Sequence, residues 1–150
     1  MVDEGSPSLL SDFPDVVAVQ VQWGDQDAFG HVNNTVFLRW FEIARISYVD
    51  RLGLSHDVSK GSFAPILAAL TCNFRSQVTF PDRISVGTRV SRVGNRSLVM
   101  DHAIFSDRLQ AIVADGTSTI VHFDYAAGKS APLSEECRSK IAEIEAKRQG

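Results

Sequence analysis

The sequence has 150 residues, of which 44% are hydrophobic and 22% charged, with a net charge of −3. That is ordinary globular material, long enough for a core, and its acidic balance argues against general affinity for nucleic acid or an anionic membrane. Cys72 and Cys137 lie far apart without C-x-x-C spacing, and neither a leader pattern nor a bilayer-length apolar run is present, so a reducing cytosol is the expected setting.

Residues 1–14, rich in Ser, Asp and Pro, read as a loose, flexible arm. Val17, Val19, Val21 and Trp23 then alternate with Ala18, Gln20 and Gln22, the period-two signature of a strand with one buried face. The loop Gly24–Asn33 follows. From Asn34 the period changes: Phe37, Trp40, Phe41, Ala44 and Tyr48 form one helical stripe. Val36, Ile43, Val49 and Leu52 widen it, so this helix is expected to be covered on more than one side. Asn33 or Asn34 can cap its start, and Gly53 permits its end. Arg39, Glu42 and Arg45 occupy the remaining face, where i,i+3 pairs give modest support.

After a polar connection (Ser55–Ser62), four strand patterns in meander are expected. Ile66–Phe80 is long and apolar-rich, and Pro81-Asp82 marks a turn. Ile84–Ser91 alternates, Gly94-Asn95 signals a hairpin, and Leu98–Phe105 alternates again. Gln110–Tyr125 is long enough to bend at Gly116. Ser134–Arg148 reads as a terminal helix with Ser134 as its cap, early acidic residues, and an apolar edge of Cys137, Ile141 and Ile144. Segregated strands and helices of this kind indicate α+β, an antiparallel sheet carrying a helix on one face.

The loop Trp23–Asn34 holds two carboxylates, an imidazole, two glycines and three side-chain amides, more reactive groups than a plain connection needs. Asp27, just before a helix, can act as nucleophile or general base, and the helix start offers unpaired N–H groups to a developing oxyanion. Equally, Asp25 and Asp27 can simply form Asx-turns. His31 can serve as general acid or base, polarise a carbonyl, or bond local backbone. Asp25, Asp27 and His31 have metal-ligating side chains but not the spacing of a zinc helix, and His56, His102 and His122 lie in separate segments. His102 shares a face with Met100 and Ile104 and reads as a satisfied sheet residue. Neither a G-x-S-x-G elbow nor a phosphate-cradling glycine loop is present. Arg89, Arg92, Arg96 and Lys129 are either a solvated sheet edge or a site for a phosphorylated ligand.

The run Asp25-Gln26-Asp27-Ala28-Phe29-Gly30-His31-Val32-Asn33-Asn34, followed by Phe37, Arg39, Trp40, Phe41 and Glu42, resembles the 4-hydroxybenzoyl-CoA thioesterase family of hotdog-fold acyl-CoA thioesterases. The likeness extends over residues 16–125, with Phe74-Arg75 and Val93–Ser97 falling at comparable segments. It implies a five- to six-stranded antiparallel sheet wrapped around the long helix, a single hotdog domain over residues 15–150, and a C-terminal helix. It also implies a homodimer or homotetramer with active sites at the subunit interface.

In that likeness the catalytic aspartate falls on Asp27, as nucleophile or general base, and the carbonyl-polarising N–H on Asn34. Gly30 and His31 shape the loop. Phe37, Trp40 and strand residues of the partner line the acyl pocket, and Arg96, with Ser97 of the same hairpin, and Lys129 meet the coenzyme A phosphates. No cofactor is implied, coenzyme A being part of the substrate, and neither nucleic acid nor membrane is an expected partner. The hydroxybenzoyl enzyme has an aromatic-rich stretch where His31–Asn34 stand, which favours a fatty acyl or other acyl thioester here, on coenzyme A or acyl-carrier protein. A non-catalytic acyl-thioester-binding or interaction module, and hotdog hydration chemistry, are the alternatives.

Overall fold

The computed structural model describes residues 7–53 and 64–147. The Ser55–Ser62 connection, His56 included, and the last residue of the expected terminal helix lie outside the described residues. Strand β1 (Asp15–Gln20) leads through the loop into helix α1 (Asn34–Arg51). Strands β2 (Pro65–Phe74), β3 (Arg83–Val93), β4 (Ser97–Ser106), β5 (Ala111–Asp124) and the short β6 (Lys129–Ser130) follow, and helix α2 (Glu135–Ala146) comes last. Among the described residues no helix is long and apolar enough to cross a membrane.

All pairings are antiparallel, in the order β1-β3-β4-β5-β2, with β6 added to β5. This corrects the four-strand meander. β3, β4 and β5 do form one, but β2 lies on the far edge, with Pro65 opposite His122 and Phe74 opposite Ala114. The reason is α1: laid across one face of the sheet, it stands between β1 on one edge and β2 on the other. The expected long segment Ile66–Phe80 ends as a strand at Phe74, where the Arg75 and Ser76 N–H groups both turn to Val113 O. The first strand likewise stops at Gln20 instead of reaching Trp23, whose ring is 74% exposed.

The wide apolar surface of α1 is used as expected. Phe37, Trp40, Phe41 and Ala44 pack with Val78, Ile84, Ile104 and Val113 in one cluster. Tyr48, Val49 and Leu52 pack with Leu98, Ile120 and the Cys137/Ile141/Ile144 edge of α2 in a second. Ser134 caps α2 by accepting from Cys137 N–H at 3.1 Å. From α2 the Glu145 carboxylate reaches back to accept from Tyr48 Oη at 2.6 Å and Val90 N–H at 3.0 Å, which ties α2, α1 and the bulged end of β3 together.

Arg45 departs from the expected solvent face. It is buried, and donates to Ser118 Oγ at 3.1 Å. Ser118 Oγ also meets His102 Nε2 at 2.9 Å, and His102 Nδ1 meets Thr88 Oγ1 at 3.0 Å. The simplest complete chain of donors runs Arg45 to Ser118 to His102 Nε2, with Nδ1–H donating to Thr88. His102 is therefore a satisfied core residue, its ring stacked on Phe41 at 4.8 Å.

Burial, and after it the Arg45 charge, push the His102 imidazole down to about 3. The unfolded chain takes up that proton near the ordinary value of about 6.5, so between these limits it binds more protons than the native state. Stability is therefore complete above about pH 6.5 and falls as pH drops toward 3, by up to about 1.4 kcal/mol per pH unit from this group. Chemical denaturation at pH 7 and pH 4.5 should show that loss, and His102→Gln should flatten the slope. An equal slope in both proteins would place the acid sensitivity elsewhere.

The stretch read as a loose arm is, from Pro7 to Pro14, packed. Ser8–Leu10 form a 3₁₀ turn, and Leu10 is buried against Ala103 and Phe105 on the outer face of the sheet. Phe13 lies directly over Gly87, where an added Cβ would come within 2.7 Å of its ring, and the Arg89 guanidinium sits 4.8 Å above that ring. Arg89 also pairs with Asp101, so it is not a free edge cation. Apolar groups in the arm fit a part of the sheet that alternation marks as outward.

Candidate active site

The loop between β1 and α1 is held by its own backbone. A short turn at Trp23–Asp25 is closed by Asp25 Oδ2, which accepts from Gln22 N–H at 2.8 Å. Gln26 and Val32 then bridge antiparallel, and between them Asp27 N–H donates to His31 O at 2.9 Å. Gly30 N–H closes a tight turn on Asp27 O at 3.0 Å, and its φ of +82° is the left-handed value that favours glycine. Val32 N–H donates to Val78 O and fastens the loop to the body of the protein.

This folding aims the Asp27 carboxylate. Oδ1 accepts from Phe29 N–H at 2.9 Å, and Oδ2 from Asn33 Nδ2 at 3.2 Å. The other end of the Asn33 amide caps α1, accepting from Thr35 N–H at 2.9 Å and Thr35 Oγ1 at 2.6 Å. One side chain thus locks the carboxylate to the helix N-terminus. Asp27 does form an Asx-type turn, so the structural and chemical readings of this residue coexist. The Asn34 N–H, first in the helix, joins no hydrogen bond among the described residues and points along the positive end of the helix dipole.

Asp27, Phe29, His31, Asn33, Asn34 and Phe37 share an open cleft of about 600 Å³. Its opposite wall is Phe74–Gln77, the end of β2 and the turn beyond it. Phe74 meets Phe37 edge-on at 5.3 Å. Arg75 supplies a cation to the rim, held through Nε and Nη2 by Asp115; that pair raises the guanidinium and lowers the carboxyl from their ordinary values. His31 Nδ1 is buried without a hydrogen-bond partner beside this cleft.

Of the expected site residues, the structure brings together Asp27, His31, Asn34 and Phe37 around the cleft, with Gly30 in the turn that shapes it. Trp40 stands behind Phe37, ring to ring at 5.1 Å, as buried core. Arg96, Ser97 and Lys129 gather elsewhere. Arg96 donates to Ser130 O, Ser97 pairs with Val121, and Lys129 pairs with Asp124, all near the C-terminal half of α1, whose 18 residues span about 27 Å. Within one protomer they are remote from Asp27. The Asn33 clamp and the Phe74–Gln77 wall were not anticipated. An Asn two positions before the first helical Thr is a cap signal, but its second bond depends on how the loop folds back. Asp25 turns away to Gln22, and among the described residues no group of three His, Cys, Asp or Glu side chains could hold a metal ion.

Asn33→Ala removes both the cap and one hydrogen bond to Asp27. Loss of the cap alone should cost about 1 kcal/mol of stability, measurable by thermal denaturation. A stability equal to the parent's would show that Thr35 or solvent replaces the cap.

A carboxylate clamped at a helix N-terminus, beside a free helical N–H in an open cleft of aromatic and polar walls, suits attack on a carbonyl. Residues 21–141 match the thioesterase-like superfamily. The chain belongs to that superfamily. It is similar to the long-chain acyl-CoA thioesterase FadM of Escherichia coli, 21% identical over 126 residues that cover 84% of this chain and 96% of that protein. It is also similar to a thioesterase of Thermus thermophilus solved with coenzyme A and zinc. Identity there is 32%, coverage 92% of this chain and 98% of that one, and the TM-score 0.80. The DHNA-CoA thioesterase of Staphylococcus aureus, 20% identical over 90% of this chain and 95% of that one with a TM-score of 0.77, shares the fold. The superfamily's hotdog architecture, a curled antiparallel sheet around a long helix, is the one described above, and its chemistry is thioester hydrolysis. The match is to this superfamily, broader than the 4-hydroxybenzoyl-CoA family that the loop resembles.

Proposed function

We propose that this protein hydrolyses acyl-CoA thioesters, with acyl-carrier-protein thioesters as a second substrate form, at the Asp27 cleft. The observation that carries this reading is the Asn33 amide, which caps α1 and holds the Asp27 carboxylate beside the unengaged Asn34 N–H. The thioester oxygen would accept from Asn34 N–H, where the helix dipole favours the charge that develops on it. Asp27 then either attacks the carbonyl carbon, giving an anhydride that water cleaves, or takes a proton from the water that attacks. In both routes the C–S bond breaks, the thiol leaves with a proton, and the free acid remains. His31, beside the cleft with its Nδ1 unengaged, is placed to move that proton.

The same reading makes the protein a homodimer or a homotetramer of such dimers. β2 is an edge strand whose outer side no described strand pairs, and edge pairing between two copies would complete the sheet. A two-fold pairing reverses one β2 against the other. The start of β2, next to His122, Arg96 and Lys129, would then lie beside the end of the partner's β2, bringing Arg96, Ser97 and Lys129 toward the partner's cleft and its coenzyme A phosphates. Thiol release from acyl-CoAs of graded chain length, aromatic ones included, tests the activity, with enoyl-CoA hydration followed in parallel. Release of thiol with a preference among acyl groups is the expected result. Saturable binding without thiol release would make the protein a binding module, and hydration in its place would change the reaction class.

A further inference from the structure

A groove of about 320 Å³ lies between α2 and the last residues of β3, where β3 outlasts its neighbour. The pairing with β1 ends at Asp15 opposite Thr88, so among the described residues no strand covers that edge over residues 89–93. Helix α2 stands there instead, its Glu145 carboxylate taking the Val90 N–H. Val90, Val93, Ile141 and Ala142 make the groove apolar, and Arg92 and Arg138 add two cations. Arg138 is fixed in place, Nη2 donating to Gly94 O at 2.8 Å and Asn95 O at 3.2 Å, which leaves its other N–H groups open. The Arg92 guanidinium is exposed and has no partner among the described residues. Asp101 and Glu145, the acids on neighbouring elements, are engaged by Arg89 and Ser91 and by Tyr48 and Val90 N–H. Past the hairpin the cationic surface continues: Arg96 donates to Ser130 O at 2.6 Å, and Lys129 directly precedes Ser130. None of these four cations joins an ion pair among the described residues. In a chain of net charge −3 this is a local reversal of sign.

We propose that the groove between α2 and β3 docks an acidic carrier protein that bears the acyl group on a phosphopantetheine arm. This rests on the thioesterase reading and on β2 pairing, and adds the surface that recognises the carrier. An acyl group on a carrier lacks the nucleotide of coenzyme A, so it offers Arg96 and Lys129 fewer phosphates to grip. Contacts with the carrier's own surface have to replace that affinity. An acidic amphipathic helix fits the groove, with an apolar side chain on Val93 and Ala142 and carboxylates on Arg92 and Arg138. The position fits as well. The end of β3 and the start of β2 lie at the same end of the sheet, three strand spacings or about 14 Å apart. Pairing of β2 brings the partner's cleft to that start, so the arm passes Arg96 and Lys129 on its way in. A groove this small suits a transient partner, which has to dock and leave at every turnover.

The test compares dodecanoyl-CoA with dodecanoyl-loaded acyl-carrier protein on the parent, on Arg92→Glu and on Ala142→Glu. Both positions are exposed, so the variants should fold, which thermal denaturation checks. Each should raise KM for the carrier substrate about tenfold or more through like-charge contact, with kcat unchanged and both constants for dodecanoyl-CoA at parent values. Arg92→Lys should restore the carrier KM. Raising the ionic strength should weaken the carrier substrate in the parent and much less in Arg92→Glu. Binding of the unacylated carrier, titrated directly, should weaken in the same two variants. A carrier KM that neither variant moves, a KM that rises equally for both substrates, or a parent that cleaves dodecanoyl-CoA but neither binds nor cleaves the carrier form would overturn the proposal. Carrier binding that depends on Arg92 without release of thiol from either substrate would instead overturn the thioesterase reading and leave the docking surface standing, so the two failures are distinguishable.

Discussion

Replacing Asp27 with Asn is expected to lower thioester turnover by about 10²–10⁴-fold, the range associated with a positioned acid or base, while leaving the protein folded. The local geometry explains why the fold survives. An Asn at this position can still accept from Phe29 N–H through its carbonyl oxygen, and the Asn33–Thr35 cap is untouched. What is lost is the bond from Asn33 Nδ2, since two amide nitrogens would then face each other; a hydrogen bond of this sort contributes about 1 kcal/mol. An amide neither attacks a carbonyl nor removes a proton from water, so the chemical step fails while the cleft keeps its shape. Thiol release and coenzyme A binding should be measured on the same preparation. Turnover near the parent's would remove Asp27 from the mechanism, and loss of binding together with turnover would mean that the carboxylate shapes the cleft.

The largest effect on stability should come from Gly116→Ala. A Cβ at Gly116 would stand 2.0 Å from Thr71 O and 2.9 Å from Thr71 C, both backbone atoms of the neighbouring β2. No side-chain rotation relieves that contact, so β2 must move away from β5. Overpacking at the severe end of its range costs about 3 kcal/mol, and the lost ladder bonds add to it. Gly30 offers the contrast. A Cβ there meets nothing within 4 Å, so only its φ of +82° penalises alanine, by about 1–2 kcal/mol. Urea denaturation of the two variants should rank them in that order. Because β2 carries Phe74 and Arg75 into the Asp27 cleft, Gly116→Ala should also lose activity. An unchanged midpoint for Gly116→Ala would show that β2 yields at no cost.

Gly116 also shows where the one-dimensional pattern stops being informative. From its sequence position it reads as a bend in a long strand; in the fold, β5 continues through it and the need for glycine comes from a carbonyl on another strand. Short-range features were legible: the α1 stripe, the Asn33 cap, the Gly30 turn, the Ser134 cap and the Asp27 carboxylate just ahead of a helix are all written within a few neighbouring residues. Features set by distant packing were not. Alternation in Leu70–Phe74 marks a strand but cannot say that α1 sends it to the far edge, so Phe74–Gln77 could not be identified as the cleft wall. Arg45 has the spacing of a surface residue, and its burial depends on Ser118 and His102 from two other strands. Leu10 and Phe13 sit in a Ser- and Pro-rich segment with no periodicity, and their role depends on a gap left over Gly87. Arg96, Ser97 and Lys129 mark the remaining boundary, since no one protomer brings them to Asp27.

The packed segment before β1 has a consequence for how copies of this protein can meet. Leu10 and Phe13 seal the apolar part of the sheet's outer surface, and the neighbouring part, over β2 and β5, is a polar lattice of Thr71, Asn73, Arg75, Asp115 and Thr117 bonded to one another. With its hydrophobic ground occupied from within and its polar ground already satisfied, this surface offers another molecule little reason to settle on it. Under the proposed β2 pairing, contact between copies falls on the rim of the sheet and not on its broad back.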